Sequence, residues 1–174
     1  MRGSRGTIGD PQRQSSSRSR RPWRTARIAG RLASVDEEEE RRGQSPFVRL
    51  IGGRFEEWRE GYVRLGLTVD ERHTNPHGVM HGGVITTLMD EALGGVIASV
   101  RGIDEMRKAP HATVDMNVSF LSNARPSDEI IVEGAVLKLG RSVAFGEAEA
   151  RRKRDNKLIA KGRFTFAIIQ REGT

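Results

Sequence analysis

The 174-residue chain has no cysteine. Disulfides, thiol nucleophiles and thiolate-held metals are therefore excluded, and a reducing cytoplasmic setting fits. Aromatic residues make up 5%, with one Tyr and two Trp, so a surface that stacks on nucleic-acid bases is a poor reading. Read by eye, no apolar run reaches the roughly 18 residues that a membrane span needs. What remains, 36% hydrophobic and 30% charged residues, suits a soluble chain of one domain plus a tail.

The net charge of +7 is unevenly spread. Residues 1–45 hold 11 Arg against 6 acids, whereas the rest holds 19 Lys and Arg against 17 acids. The first 45 residues lack apolar periodicity and are rich in Arg, Ser and Gly. Such a segment buries too little apolar surface to offset its ordering entropy. It is expected to be a disordered tail (1–45) ahead of a folded domain (46–171). Its start is Arg/Ser-rich like a transit peptide, but a solvated tail is the simpler reading.

From Ser45 the pattern changes. "SPFVRLIGG" offers an N-cap Ser45, Pro46 at the first helical position and a Gly-Gly stop, a short helix. "EGYVRLGLTVDE" alternates, with Val63, Leu65, Leu67 and Val69 on one side, a half-buried strand. "HATVDMNVSFLS" alternates too, and places Thr113 on a polar side with Asp115 and Asn117. Three more strands follow, "DEIIVEGAVLKLG", "SVAFGEAEARRK" and "LIAKGRFTFAIIQ". One long helix set against antiparallel strands is an α+β arrangement.

That helix is expected from about Gly83 to Val100. Val84, Leu88, Ala92 and Val96 form one apolar row, and Ile85, Met89, Leu93 and Ile97 the next. A third row, Thr86, Asp90, Gly94 and Ala98, is small around one carboxylate. It leaves Asp90 beside a narrow slot. Glu91, about 100° further round, reads as outward-facing. Ahead of the helix, "NPHGVMHGG" puts glycines where a ligand can approach the first backbone N–H groups. Those groups favour developing negative charge, as in an oxyanion hole. His73 and His77 read as loop residues, and His81 stays beside the glycines. No metal site is expected: Pro76 and Gly78 break any helix that would align the histidines, and no zinc signature matches.

"NPHGVMHGGVITTLMD" resembles the N-x-x-G-x-x-H-G-G-x-x-x-x-x-x-D pattern of hotdog-fold acyl-CoA thioesterases of the PaaI-like and thioesterase superfamily member 2 group. The resemblance spans roughly residues 46–170, including "TVDMNVSFL". It implies a hotdog fold, a long central helix wrapped by a curved antiparallel sheet. It also implies homodimers or homotetramers with sites at the dimer interface, acyl-CoA as substrate, and no cofactor. The roles it implies are Asp90 as general base or nucleophile and the Gly82 N–H as oxyanion donor. Asn75 and His81 would orient substrate, Thr113 would position water, and Arg141 and Ser142 would contact CoA. A hotdog hydratase or dehydratase, or a non-catalytic acyl-CoA-binding module, is the alternative. The basic run Arg151 to Arg154 reads as a solvated turn rather than a phosphate site.

Overall fold

A computed structural model describes residues 45–170. The tail expected over residues 1–45 lies almost wholly outside them, as does Arg171 at the far end of the expected domain.

Chain order follows the sequence pattern, with two additions. Helix α1 is Pro46–Leu50, with the Ser45 side chain accepting from the Val48 N–H as foreseen. Strand β1, Arg54–Arg59, was not foreseen. Its pairing register shifts between Phe55 and Glu57, and such a bulge scrambles the alternation by which a strand is recognised. Strand β2 is Tyr62–Thr68, and Val63, Leu65 and Leu67 on its inner side are fully buried. The long helix, α2, spans Gly82–Arg101. A further helix, α3, covers Ile103–Lys108 with no buried residue, too short and polar to show a periodic face. Strands β3 (His111–Phe120), β4 (Glu129–Leu139), β5 (Val143–Arg152) and β6 (Lys157–Ile168) complete the fold.

The six strands form one antiparallel sheet in the order β1-β2-β4-β5-β6-β3. β3 therefore does not pair with its successor β4. It crosses to the far edge and pairs with β6. Helix α2 packs on the sheet through Ile85, Leu88, Met89, Ala92, Leu93, Val96 and Ile97, all buried. Area bookkeeping assigns about 1.5–3 kcal/mol to each large apolar side chain so buried. By length and mean composition α2 does pass as a membrane span, which the absence of a long uninterrupted apolar run did not suggest. Its buried face against the sheet makes it the core helix instead. Glycines admit that closeness: a Cβ on Gly146 would stand 2.6 Å from Leu93 Cδ2.

The β3–β6 ladder corrects one inference. Thr113 lies opposite Phe166 and Met116 opposite Phe164, while Asp115 lies opposite Thr165. A bulge at Val114 absorbs the extra residue. Partners across a ladder share a face, and Phe164 and Phe166 are buried. Thr113 thus points to the helix side with Met116, Val118 and Phe120, not with Asp115 and Asn117. Bulges beside active sites commonly re-aim a side chain in this way.

Candidate active site

The residues singled out in sequence fall into three places. Asp90 and Thr113 meet directly. The Thr113 hydroxyl donates to Asp90 Oδ1 at 2.6 Å, joining α2 to β3. The bond is short and charge-assisted. It engages Oδ1 of the carboxylate. Both side chains line a cavity of about 490 Å³, together with Gly94 and Ala98 of the small row. The slot inferred from that row is therefore present. Glu91 is not outward-facing: it lines the same cavity and accepts the Ser45 N–H at 3.1 Å.

The second place is the entry to α2. His81 is the N-cap, and its Nδ1 accepts the Gly83 N–H at 2.9 Å. Its carbonyl accepts the Val84 N–H at 3.0 Å. The first N–H groups of a helix have no acceptor within it, and these bonds satisfy two of them. Gly82 is the first helical residue, so its N–H has no acceptor within the helix. A Cβ on Gly82 would stand 3.0 Å from the Phe120 ring, so that ring covers the same helix end. Asn75 sits in the loop before it. Its Oδ1 accepts the His77 N–H at 2.9 Å, which leaves its amide NH₂ as the side-chain donor.

The third place is the β4–β5 turn. Arg141 and Ser142 are exposed there and line no part of the cavity. The basic run at the opposite end of β5 is matched by acids: Arg151 with Glu149, Arg152 with Asp155, Lys153 with Glu129 and Arg154 with Asp128, all at 2.7–2.8 Å. The run is ion-paired, with the Arg151 and Arg152 side chains at the end of β5 only 21% and 13% exposed, rather than the solvated turn expected from the sequence.

His73 is no ordinary loop residue. It is 1% exposed within the turn Glu71–His73. Its Nδ1 accepts the Asp70 N–H at 2.9 Å, so its Nε2–H donates to the Ile51 carbonyl at 2.7 Å. Its own carbonyl accepts the His81 N–H at 2.7 Å. One buried histidine thereby ties α1 and the loop together through its ring, and the entry of α2 through its backbone carbonyl. Among the described residues, no three His, Asp or Glu side chains converge as ligands.

The cavity also holds residues not singled out in sequence. Phe55, Trp58, Met106 and Phe166 give it apolar walls, and His111 faces it from the start of β3. The His111 ring packs edge-on to Phe166 at 5.4 Å. Burial, and then the Arg101 charge, hold its pKa below the ordinary histidine value, partly offset by Asp90. The signal for His111 was present: it stands two residues before Thr113, hence on the same strand face.

A single long helix laid across an antiparallel sheet, with an acid on that helix turned toward the sheet, defines a hotdog-fold protein. The thioesterase superfamily model matches residues 77–159, the segment that carries Gly82, Asp90 and Thr113. Human acyl-coenzyme A thioesterase 13 is 37% identical over 105 residues, 60% of this chain and 71% of that protein. A putative esterase of Pseudomonas aeruginosa is 33% identical over 125 residues, 71% of this chain and 89% of its own length. The crystal structure of zebra fish thioesterase superfamily member 2 superposes with a TM-score of 0.66. It is 32% identical, over 77% of this chain and 95% of that one. The chain belongs to the thioesterase superfamily. The Escherichia coli PaaI protein, 19% identical over 77% of this chain and 90% of its own, shares the fold with a TM-score of 0.66.

Proposed function

We propose that the protein is an acyl-CoA thioesterase, hydrolysing an acyl- or aryl-CoA thioester to the free acid and CoA. The observation that carries this is the Thr113–Asp90 bond at 2.6 Å on the wall of an apolar cavity. Water held between Thr113 Oγ1 and Asp90 Oδ2 attacks the thioester carbonyl carbon while Oδ2 takes its proton. The carbonyl oxygen becomes an oxyanion, which a Gly82 N–H stabilises. Collapse breaks the C–S bond, and the proton on Asp90 passes to the CoA thiolate. The same Oδ2 also serves direct attack by the carboxylate, which gives a mixed anhydride that water then opens.

One chain does not hold this constellation. Gly82 and Asp90 are eight residues apart on one helix, about 12 Å, too far to touch one thioester group. A second copy resolves this. β3 is an edge strand of ten residues, and Val114, Met116 and Phe120 on it are 62%, 45% and 55% exposed. An edge so long and apolar is a template for pairing. Thr113 marks the Asp90 end of β3 and Phe120 the Gly82 end. Antiparallel pairing of two β3 strands about Met116 and Asn117 sets each Asp90 beside the partner's Gly82. The relatives named above support the activity, and the covering of β3 by a homodimer, or a pair of dimers, is the assembly that suits it.

The test is thiol release across a panel of aliphatic and aromatic acyl-CoAs, with Asp90→Asn as control. Turnover by the native chain and its loss in a folded Asp90→Asn variant is the expected result. Silence over the panel would refute the activity, and undiminished turnover by the variant would remove Asp90 from it.

A further inference from the structure

His111 is not used by the hydrolytic scheme, yet it lines the same cavity as Asp90 and Thr113. Its Nδ1 lies 3.2 Å from Met106 Sδ. A thioether sulfur can only accept, so Nδ1 carries the proton of the neutral ring. Nε2 is then a bare lone pair. A Cβ on Gly94 would stand 3.2 Å from Nε2, closer than side chains ordinarily pack. Glycine at that point makes room for the imidazole and leaves Nε2 at the cavity wall. Burial and the Arg101 charge favour the neutral ring that this arrangement requires.

The place of Nε2 relative to the carboxylate follows from helix and strand geometry. Gly94 is one turn beyond Asp90, about 6 Å along the helix axis. His111 is two strand residues from Thr113, about 6–7 Å in the same direction. Phe55, Trp58 and Phe166 line the cavity around it. A thioester carbonyl held at Asp90 thus extends its acyl group between apolar walls toward the His111 acceptor, while the Glu91 carboxylate on the same cavity holds the Ser45 N–H.

Resting on the thioesterase reading, we infer that His111 is a specificity-determining residue whose Nε2 selects acyl groups bearing a hydrogen-bond donor, such as a hydroxyl, about one helix turn beyond the reacting carbonyl. An aromatic acyl group substituted at its far end has the reach and the apolar faces this wall fits.

The experiment compares kcat/KM for benzoyl-CoA and its para-hydroxy and para-methoxy derivatives. Hydroxyl and methoxy both accept, but only hydroxyl donates. The native chain is expected to prefer hydroxyl over methoxy by about three- to tenfold, the weight of one neutral hydrogen bond. His111→Phe should bring that ratio to about one, and His111→Gln, which retains an acceptor, should keep part of it. The ratio within each variant is the readout, so a general loss of turnover cancels. Equal turnover of hydroxyl and methoxy by the native chain, or an unchanged ratio in His111→Phe, overturns the inference alone. Silence of the native chain on all three probes and on aliphatic acyl-CoAs overturns the thioesterase reading, and this one with it.

Discussion

Thr113→Val isolates the bond on which the proposed chemistry turns. Valine keeps the branched shape and removes only the hydroxyl. The lost bond is 2.6 Å long and ends on a carboxylate, a class worth about 1.5–3 kcal/mol. Both partners are half-buried, so solvent competes for the carboxylate and the lower half of that range applies. At about 1.4 kcal/mol per tenfold in rate, kcat should fall roughly ten- to fortyfold. Thr113→Ser, which keeps the donor, should stay within about threefold. The assay is thiol release at saturating acyl-CoA, with a thermal melt to establish that each variant is folded. A cycle with Asp90→Asn sharpens it: once the base is gone, removing the hydroxyl should cost nothing further. An unchanged kcat in Thr113→Val, or the same fractional loss in both backgrounds, would show that the hydroxyl does not act through Asp90.

Four other outcomes are expected. His73→Leu removes the partner of the part-buried Ile51 carbonyl and Asp70 N–H and should cost about 1–3 kcal/mol in denaturant unfolding; a loss below about 0.5 kcal/mol would dismiss His73 as a strut. The folded-state pKa of His111 lies below its ordinary 6.5, so at acid pH the unfolded chain binds a proton the folded one resists. The associated stability is complete above about pH 6.5 and is lost as pH falls through the depressed value, so His111→Phe should flatten the decline in melting temperature from about pH 7 to pH 5. Met116→Lys puts a charge in the exposed edge and should shift sedimentation toward single chains and lower activity together; activity in a monodisperse single chain would refute the shared site. After a single turnover in ¹⁸O-water, label on Asp90 with none in the product acid is the outcome unique to carboxylate attack, with water opening the anhydride at the Asp90 carbonyl carbon; label confined to the product acid is expected if Asp90 acts as base.

Helix α2 and the slot-facing place of Asp90 were legible in the sequence, because both follow from spacing along one helix. β2 and α1 were legible for the same reason, a local period and a local cap. What escaped was set by non-local pairing. The bulges in β1 and at Val114 break the two-residue period, so β1 was missed and Thr113 was assigned to the wrong side of its strand. His73 was taken for a loop residue because its acceptor, the Ile51 carbonyl, lies 22 residues earlier. The cavity walls draw on α1, β1, α2, α3, β3 and β6, and no single stretch of sequence displays that convergence. Its one histidine outside the motif was overlooked although its parity with Thr113 was plain.

The strand order bears on how the chain is made. β3 emerges from the ribosome before β4 and β5, yet among the described residues its only strand partner is β6, the last of the described strands to be made. Until β6 arrives, a ten-residue stretch with bare apolar side chains has no partner strand among the described residues. β4 and β5 can close their hairpin in the interval, and α2 can settle on β2 and β4. The clasp between Thr113 and Asp90 has to wait. Nascent chains arrested before residue 157 should therefore hold a partly formed core but no working carboxylate, and their open β3 is the segment a chaperone would find first.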